Sequence, residues 1–445
     1  MNKFSRLVSN APKCSRSLSG VKRKYPINRE EEQKLPVFEY KTSKTNYRRV
    51  FSWGNIYTGA LGKPYKTSEK LEKQQCLKYP KRIGFGERQE VTTAACGFGF
   101  TVFGVRSETN QKIWGTGINT DSQIGYHEVR RDHPLEVLFY PKPIDLPLKE
   151  PGKTKVLKIS AGRAHLLVLT DEGVFTLGNN AYGQCGRKII ENEDYIRSNY
   201  INHIQDIDGK NIVDVTCGQD HSLLLTEDGC VYSCGWGADG QTGLGHFENC
   251  SEFTKVNGDI QYEKIVKLSS KSDFVLALND KGQVFGWGNT EYSQLTLDNG
   301  NQQIFSPMHI KMLDKLGPIK SIASAGSFCL VLNDTGQVFS WGYGLLGCGP
   351  NAQQSKEPMH IPDVLFGKNE YNTDSKVEKV ECGLYHGAAI TNSGDLYIWG
   401  RNKNGCLGLG HEKDQYFPLK VAIGGYVEHI YCGVDHCIAI CKPFI

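Results

Sequence analysis

One frame recurs seven times along this chain, and a recurrence of that length leaves few folds open. It starts at Val91, Val156, Ile212, Ile265, Ile319, Val377 and Val427, at intervals of 50–65 residues. Residues 212–245 read IVDVTCGQDHSLLLTEDGCVYSCGWGADGQTGLG, and residues 377–410 read VEKVECGLYHGAAITNSGDLYIWGRNKNGCLGLG. A typical unit has a short apolar strand, a small residue followed by Gly, and a second strand ending in Leu-Thr or Leu-Asn. An Asp-x-Gly type turn, a third strand such as Gln337-Val-Phe-Ser-Trp-Gly342 and a glycine-rich turn complete it. Alternation in the third strand has period two, and the turn between the second and third is of hairpin type. Glycine is enriched accordingly, at 49 of 445 residues, because tight turns consume it. Repeats of this length, built of several strands with no helical period, predict the blades of a β-propeller.

The two ends of the chain predict how the ring closes. The last unit stops at Cys441-Lys-Pro-Phe-Ile445, before its Trp-Gly strand. The missing half stands near the start, as Arg49-Val-Phe-Ser-Trp-Gly54 followed by Thr58-Gly-Ala-Leu-Gly62. A blade shared between the termini closes an all-β ring of seven over residues 48–445 and leaves no free sheet edge. Trp53, Trp114, Trp287, Trp341 and Trp399 are expected to close the third strands and fill the blade cores, with Trp236 displaced by two residues.

Charge is unevenly spread. Overall there are 52 basic and 48 acidic residues, but residues 1–29 hold Lys3, Arg6, Lys13, Arg16, Lys22, Arg23, Lys24 and Arg29 and no acid. In a helix, Phe4, Leu7 and Val8 would face away from Lys3, Arg6 and Lys13, and serines are frequent. These are the marks of a mitochondrial transit peptide, processed between Arg16 and Tyr25. Residues 30–47 are expected to link this leader to the ring, and the mitochondrial matrix, or the matrix face of the inner membrane, is the expected location. The remaining chain is slightly acidic, so charge does not support direct RNA contact. No apolar run approaches the ~18 residues of a spanning helix; membrane association is expected only through a partner.

Chemistry leaves little trace. Gly235-Trp-Gly-Ala-Asp-Gly240 has the GxGxxG form, but a blade turn follows it where a dinucleotide site needs a helix. Gly152-Lys-Thr154 resembles the end of a P-loop, yet Pro147 stands at its first-glycine position. There is no GxSxG and no identifiable triad. Among 15 cysteines, Cys96, Cys217, Cys382 and Cys432 precede Gly in the repeat and read as small buried hydrophobes. Cys230/Cys234 and Cys437/Cys441 share strand faces, with Cys432 nearby. Tight CxxC pairs of zinc type are lacking, so neither a metal nor a cofactor is expected, and the thiols should be free.

His165, His221, His386 and His436 hold one repeat position, filled by Phe100, Phe274 and Phe328 elsewhere. A position that accepts His or Phe reads as packing, with the imidazole bonded to neighbouring backbone. Asp220 and Asp435 immediately precede two of these histidines. Because adjacent strand residues point to opposite faces, Asp220 is expected to face a loop rim and a partner.

The string Cys-Gly-x-x-His-x-x-x-Leu-Thr-x-x-Gly-x-Val-Tyr-x-Trp-Gly resembles the regulator of chromosome condensation repeat family, over about nine-tenths of the chain. With its leader, and with Asn179–Gly186 and Gly235–Gly243, the chain looks like the mitochondrial branch of that family, named for its likeness to guanine-nucleotide exchange factors. The resemblance implies a propeller of that type without covalent chemistry. It further implies an exchange factor for a mitochondrial dynamin-like GTPase of inner-membrane fusion. The alternative it implies is a scaffold for mitochondrial ribosomal RNA handling and ribosome assembly. It makes Asp220 a contact acid. Asp239 and Asp435 are the other candidate partner contacts. Tyr182 stands where the family has a second acid, and Ser327-Phe328 where it has a His; the insertion over Tyr126–Pro151 could supply another contact.

Overall fold

Alternating apolar residues and glycine turns fold here as antiparallel four-stranded sheets, seven of them among the described residues. The structure, a computed structural model, describes residues 47–63, 76–295 and 302–444; the leader and all but the last residue of the linker lie outside these. Six blades are sequential, spanning residues 91–144, 156–204, 212–255, 265–309, 319–361 and 377–420. Blade 7 joins the strands Tyr426–Cys432 and His436–Lys442 to Arg49–Asn55 and Cys76–Arg82. Trp53 pairs with Cys437 across that junction. The expected seven-bladed ring and its shared closing blade are both present. Helix among the described residues is confined to Gly84–Arg88 and short 3₁₀ turns.

The second strand of each of the six sequential blades is fully buried; Phe274–Asn279 and His386–Thr391 have no exposed residue. A strand covered on both faces needs apolar or small residues throughout, which is why these segments run Phe-Val-Leu-Ala-Leu and His-Gly-Ala-Ala-Ile. Between the first and second strands, the Cys-Gly-x-x-His motif has a steric cause. A Cβ on Gly218 or Gly383 would overlap the ring of His221 or His386 three residues on. The Gly that follows Trp has a different cause. Gly288 and Gly400 take φ of +101° and +120°, and a side chain there would strike the backbone of the neighbouring strand.

Trp53, Trp287, Trp341 and Trp399 are completely buried. Three of them tie blades together, because each indole N–H donates to a carbonyl in the glycine turn of the preceding blade. Trp53 reaches Cys406 O at 2.8 Å, Trp287 reaches Gln241 O at 3.0 Å and Trp341 reaches Gln294 O at 2.8 Å. Trp114 does not share this place. Gly117, not Gly115, pairs with Phe100 at the strand end, so Thr116 takes the clamp position. Trp114 is partly exposed and packs on Phe85 at 5.3 Å instead.

The four histidines are fully buried, and their partners are side chains of the next blade rather than backbone. His165 Nε2 lies 3.0 Å from Ser222 Oγ, His221 Nε2 3.2 Å from Ser270 Oγ and His436 Nε2 3.0 Å from Thr101 Oγ1. His386 Nε2 lies 3.3 Å from Cys437 Sγ. Burial drives the pKa of His165 and His221 down to about 3, so these two rings are neutral latches between blades.

Candidate functional site

The loops joining first to second strands, and third to fourth strands, emerge at one end of the ring, because each third strand ends beside the start of the second. This loop face carries an acidic side on blades 1–4 and an aromatic side on blades 4–6.

Asp220 sits on the acidic side, just before His221, and is only 6% exposed. It is not free to meet a partner unaccompanied, as strand alternation suggested. Arg163 of blade 2 grips it with both prongs, Nη2 to Oδ2 at 2.8 Å and Nε to Oδ1 at 3.1 Å. Burial raises the Asp220 pKa, and the guanidinium opposes the rise. The outward-facing member of the pair is Arg163, whose side chain is 46% exposed.

Asp239 lies in the glycine turn of blade 3. Gln303 Nε2 donates to its Oδ1 at 2.7 Å, and its own backbone N–H donates to Gln241 Oε1 at 2.9 Å. Asp121 occupies the corresponding turn of blade 1, where its Oδ1 accepts from Asn179 at 2.7 Å and its N–H donates to Gln123.

Asp273 was missed by the sequence reading. It holds the same repeat position as Asp220 and Asp435, but it precedes Phe274 rather than a His, and a search for Asp-His pairs passes over it. Aligning the eighth residue after each unit start would have found it. Burial first, then the Asp239 and Asp220 carboxylates, push its pKa up to about 6. Asp220, Asp239 and Asp273 therefore form one electrostatic group.

Asp435 is separate, at the seam of blade 7. Asn55 Nδ2 donates to its Oδ2 at 2.7 Å, and Asn404 Nδ2 does so at 3.4 Å. Burial works against ionisation here, but His436 and these amides hold the pKa down to about 2. It is an ionised seam residue, tied to the N-terminal strand by Asn55 and to the glycine turn of blade 6 by Asn404.

On the aromatic side, Tyr292 and Tyr343 stack with centroids 5.5 Å apart, and the Arg401 guanidinium lies 5.5 Å from the Tyr385 ring centroid. With Leu345 and Leu384 they line a shallow cavity of about 320 Å³. Tyr182, where the family pattern has an acid, packs edge-on to Trp236 at 4.5 Å. The insertion after blade 1's glycine turn forms a two-stranded hairpin, Glu128–Arg130 with His133–Pro134, presenting exposed Arg130 and Arg131.

The described cysteines are all free thiols. Among the described residues, one group could hold a metal: His386, Cys432 and Cys437, at the seam of blades 6 and 7. No spacing rule finds it, since the two cysteines face each other across a strand pair and the His comes from another blade.

A propeller closed by a shared terminal blade, latched by Cys-Gly-x-x-His turns and carrying an acidic and an aromatic side on one loop face, defines a repeat ring of the binding type. The chain belongs to the regulator of chromosome condensation (RCC1) repeat family, whose repeat model matches residues 49–103, 171–225, 228–278, 281–332, 335–390 and 393–440. Among its relatives is the human RCC1-like G exchanging factor-like protein, 44% identical over 92% of this chain and 90% of the relative. The mouse protein of that name is 44% identical over 94% and 92%. The crystal structure of human WBSCR16 superposes with a TM-score of 0.83 at 45% identity, covering 89% of this chain and all of that one. Prp20p of Saccharomyces cerevisiae, studied for its binding to Gsp1p and histones, shares the fold with a TM-score of 0.71 at 20% identity.

Proposed function

We propose that this protein is a regulatory guanine-nucleotide exchange factor of the mitochondrion that engages a GTPase through its loop face. The relatives' shared name supports an exchange-factor-like role, and the observation that carries the assignment to this face is the Asp220–Asp239–Asp273 group. Three carboxylates grouped at one rim, one of them with its pKa pushed up to about 6 by burial and then by its neighbours' charge, are a poor arrangement for stability alone, and such perturbed clusters concentrate at functional sites. Exchange requires no covalent step. It requires only that the ring bind the nucleotide-free GTPase more tightly than the loaded one. Acids at such a face can compete for the groups that hold a nucleotide's phosphates and magnesium, and the aromatic side supplies apolar contact area.

The proposed partner is a dynamin-like GTPase of inner-membrane fusion, and the basic leader supports delivery to the matrix. The direct test loads that GTPase with fluorescent GDP and adds the purified chain. Accelerated release, lost when Asp239 and Asp273 are both changed to Asn, is the expected result. Unchanged release, together with co-purification of ribosomal precursors, would replace this reading with that of an assembly scaffold. Location is tested by fusing residues 1–30 to a reporter. Entry into mitochondria is expected, abolished when Arg6, Lys13 and Arg16 are neutralised together, and cytosolic retention of the unaltered fusion would reject it.

A further inference from the structure

The latch between blades recurs around the ring, and comparing its copies isolates one that differs. It is built from the tenth residue of one unit and the sixth and eleventh residues of the next. Between blades 2 and 3 these are His165, Cys217 and Ser222; between blades 7 and 1 they are His436, Cys96 and Thr101. Between blades 3 and 4 they are His221, Ser270 and Val275. Where the first residue is His, only the seam of blades 6 and 7 has thiols at both of the other positions: His386, Cys432 and Cys437.

The geometry there is compact. A ring nitrogen of His386 and the two sulfurs all lie within 4.8 Å of one another. Cys432 and Cys437 are direct partners across their strands, and all three residues are completely buried. Cys406 Sγ stands 4.0 Å from His386 Nδ1, on the opposite edge of the ring from Cys437, so it can orient the imidazole but not join the same set.

We propose that His386, Cys432 and Cys437 form a three-coordinate site for a soft monovalent cation, Cu(I). Donor type, number and access together select the ion. Two thiolates and an imidazole favour soft or borderline metals over hard ones. Zinc completes a tetrahedron, with a fourth protein ligand in structural sites or a water in catalytic ones. Neither is at hand for a group whose three residues are fully buried and which no fourth His, Cys, Asp or Glu among the described residues joins within 4.8 Å. An ion at the centre of three donors no more than 4.8 Å apart lies at most about 2.8 Å from each. A contraction of roughly half an ångström then reaches ordinary metal–nitrogen and metal–sulfur bond lengths. The competing view, two thiols packed as one more latch, expects no metal.

The repeats themselves supply variants that should fold. Serine stands at the Cys437 position in blade 3, serine stands at the Cys432 position in blades 4 and 5, and phenylalanine stands at the His386 position in blades 1, 4 and 5. The full chain would be isolated under reducing, anaerobic conditions from copper-supplemented cells, then challenged with bicinchoninate, a Cu(I) chelator. The expected result is about one retained copper per chain, silent in electron paramagnetic resonance, with two sulfur neighbours and one nitrogen neighbour in X-ray absorption. Cys437→Ser, Cys432→Ser and His386→Phe should each lower retention at least roughly tenfold while keeping the propeller's circular dichroism. Metal-free wild-type protein, zinc in place of copper, or undiminished copper in folded Cys437→Ser would each overturn the proposal. The first two readings need no variant at all.

Discussion

Asp273 shows how a single side chain can be placed against the stability of its own fold. Its pKa rises from 3.8 to about 6 in the folded ring, so between those values the native state holds a proton that the unfolded chain has released. Stability from this group is therefore complete below about pH 4 and is lost as pH rises through about 6. At pH 7.5 the ionised carboxylate costs the fold at most about 3 kcal/mol. Asp273→Asn is expected to raise the melting temperature at pH 7.5, to leave it unchanged near pH 4, and to weaken GTPase binding. A lower melting temperature at pH 7.5 would contradict the electrostatic account. Asp220 should behave differently, because it is paired. Asp220→Ala leaves a half-exposed Arg163 that water can solvate, so the stability loss should stay near or below about 1 kcal/mol. The loss in partner affinity should be larger, about 1–3 kcal/mol, as for a charge-assisted contact. Urea denaturation and a binding titration of the same preparation measure the two. The Asp220–Arg163 pair was not legible in the sequence because its members lie 57 residues apart, and no local pattern links two neighbouring blades.

At the scale of the blade, the third strand and the glycine turn it clamps are the working unit. Trp341 is buried and donates its indole N–H to Gln294 O in the preceding blade, so Trp341→Ala opens a large cavity and leaves that carbonyl only the weak Cys329 thiol donor at 3.4 Å. The expected cost is about 3–5 kcal/mol. Trp114→Ala should cost distinctly less, since that ring is partly exposed and holds no such clamp. Equilibrium unfolding of the two variants side by side checks the ranking, and equal losses would refute the distinction. Strands, turns and the period of the array were readable because each blade repeats the same side-chain alternation. The place of Trp114 was not. A Trp-Gly dipeptide matches locally at Trp114-Gly115, whereas register is set by Gly117 opposite Phe100, two residues further along. The candidate acids were legible only in part for a similar reason. Asp220, Asp239 and Asp435 could be picked by motif, but Asp273, with Phe in place of the following His, stands out only when the repeats are aligned position by position.

For the whole ring, the closing blade sets cooperativity. Removing residues 427–445 deletes the C-terminal strands of blade 7 and leaves Arg49–Asn55 paired only with Cys76–Arg82, its other edge bare. The truncated chain is expected to show no single sharp thermal transition, and retention of the full-length melting temperature would argue against closure as a source of stability. The same blade has a temporal side. Its N-terminal strand is among the first ring segments to leave a ribosome or a translocation pore, yet its partner, His436–Lys442, is among the last. Nearly the whole chain must be in place before that edge is covered, and contacts of such sequence separation form late. A nascent or prematurely ended chain can build six blades and still present an open strand, which is the feature that holdase chaperones and quality-control proteases recognise. Closure thus acts as a check on completeness: the ring becomes protected only when its final two strands arrive.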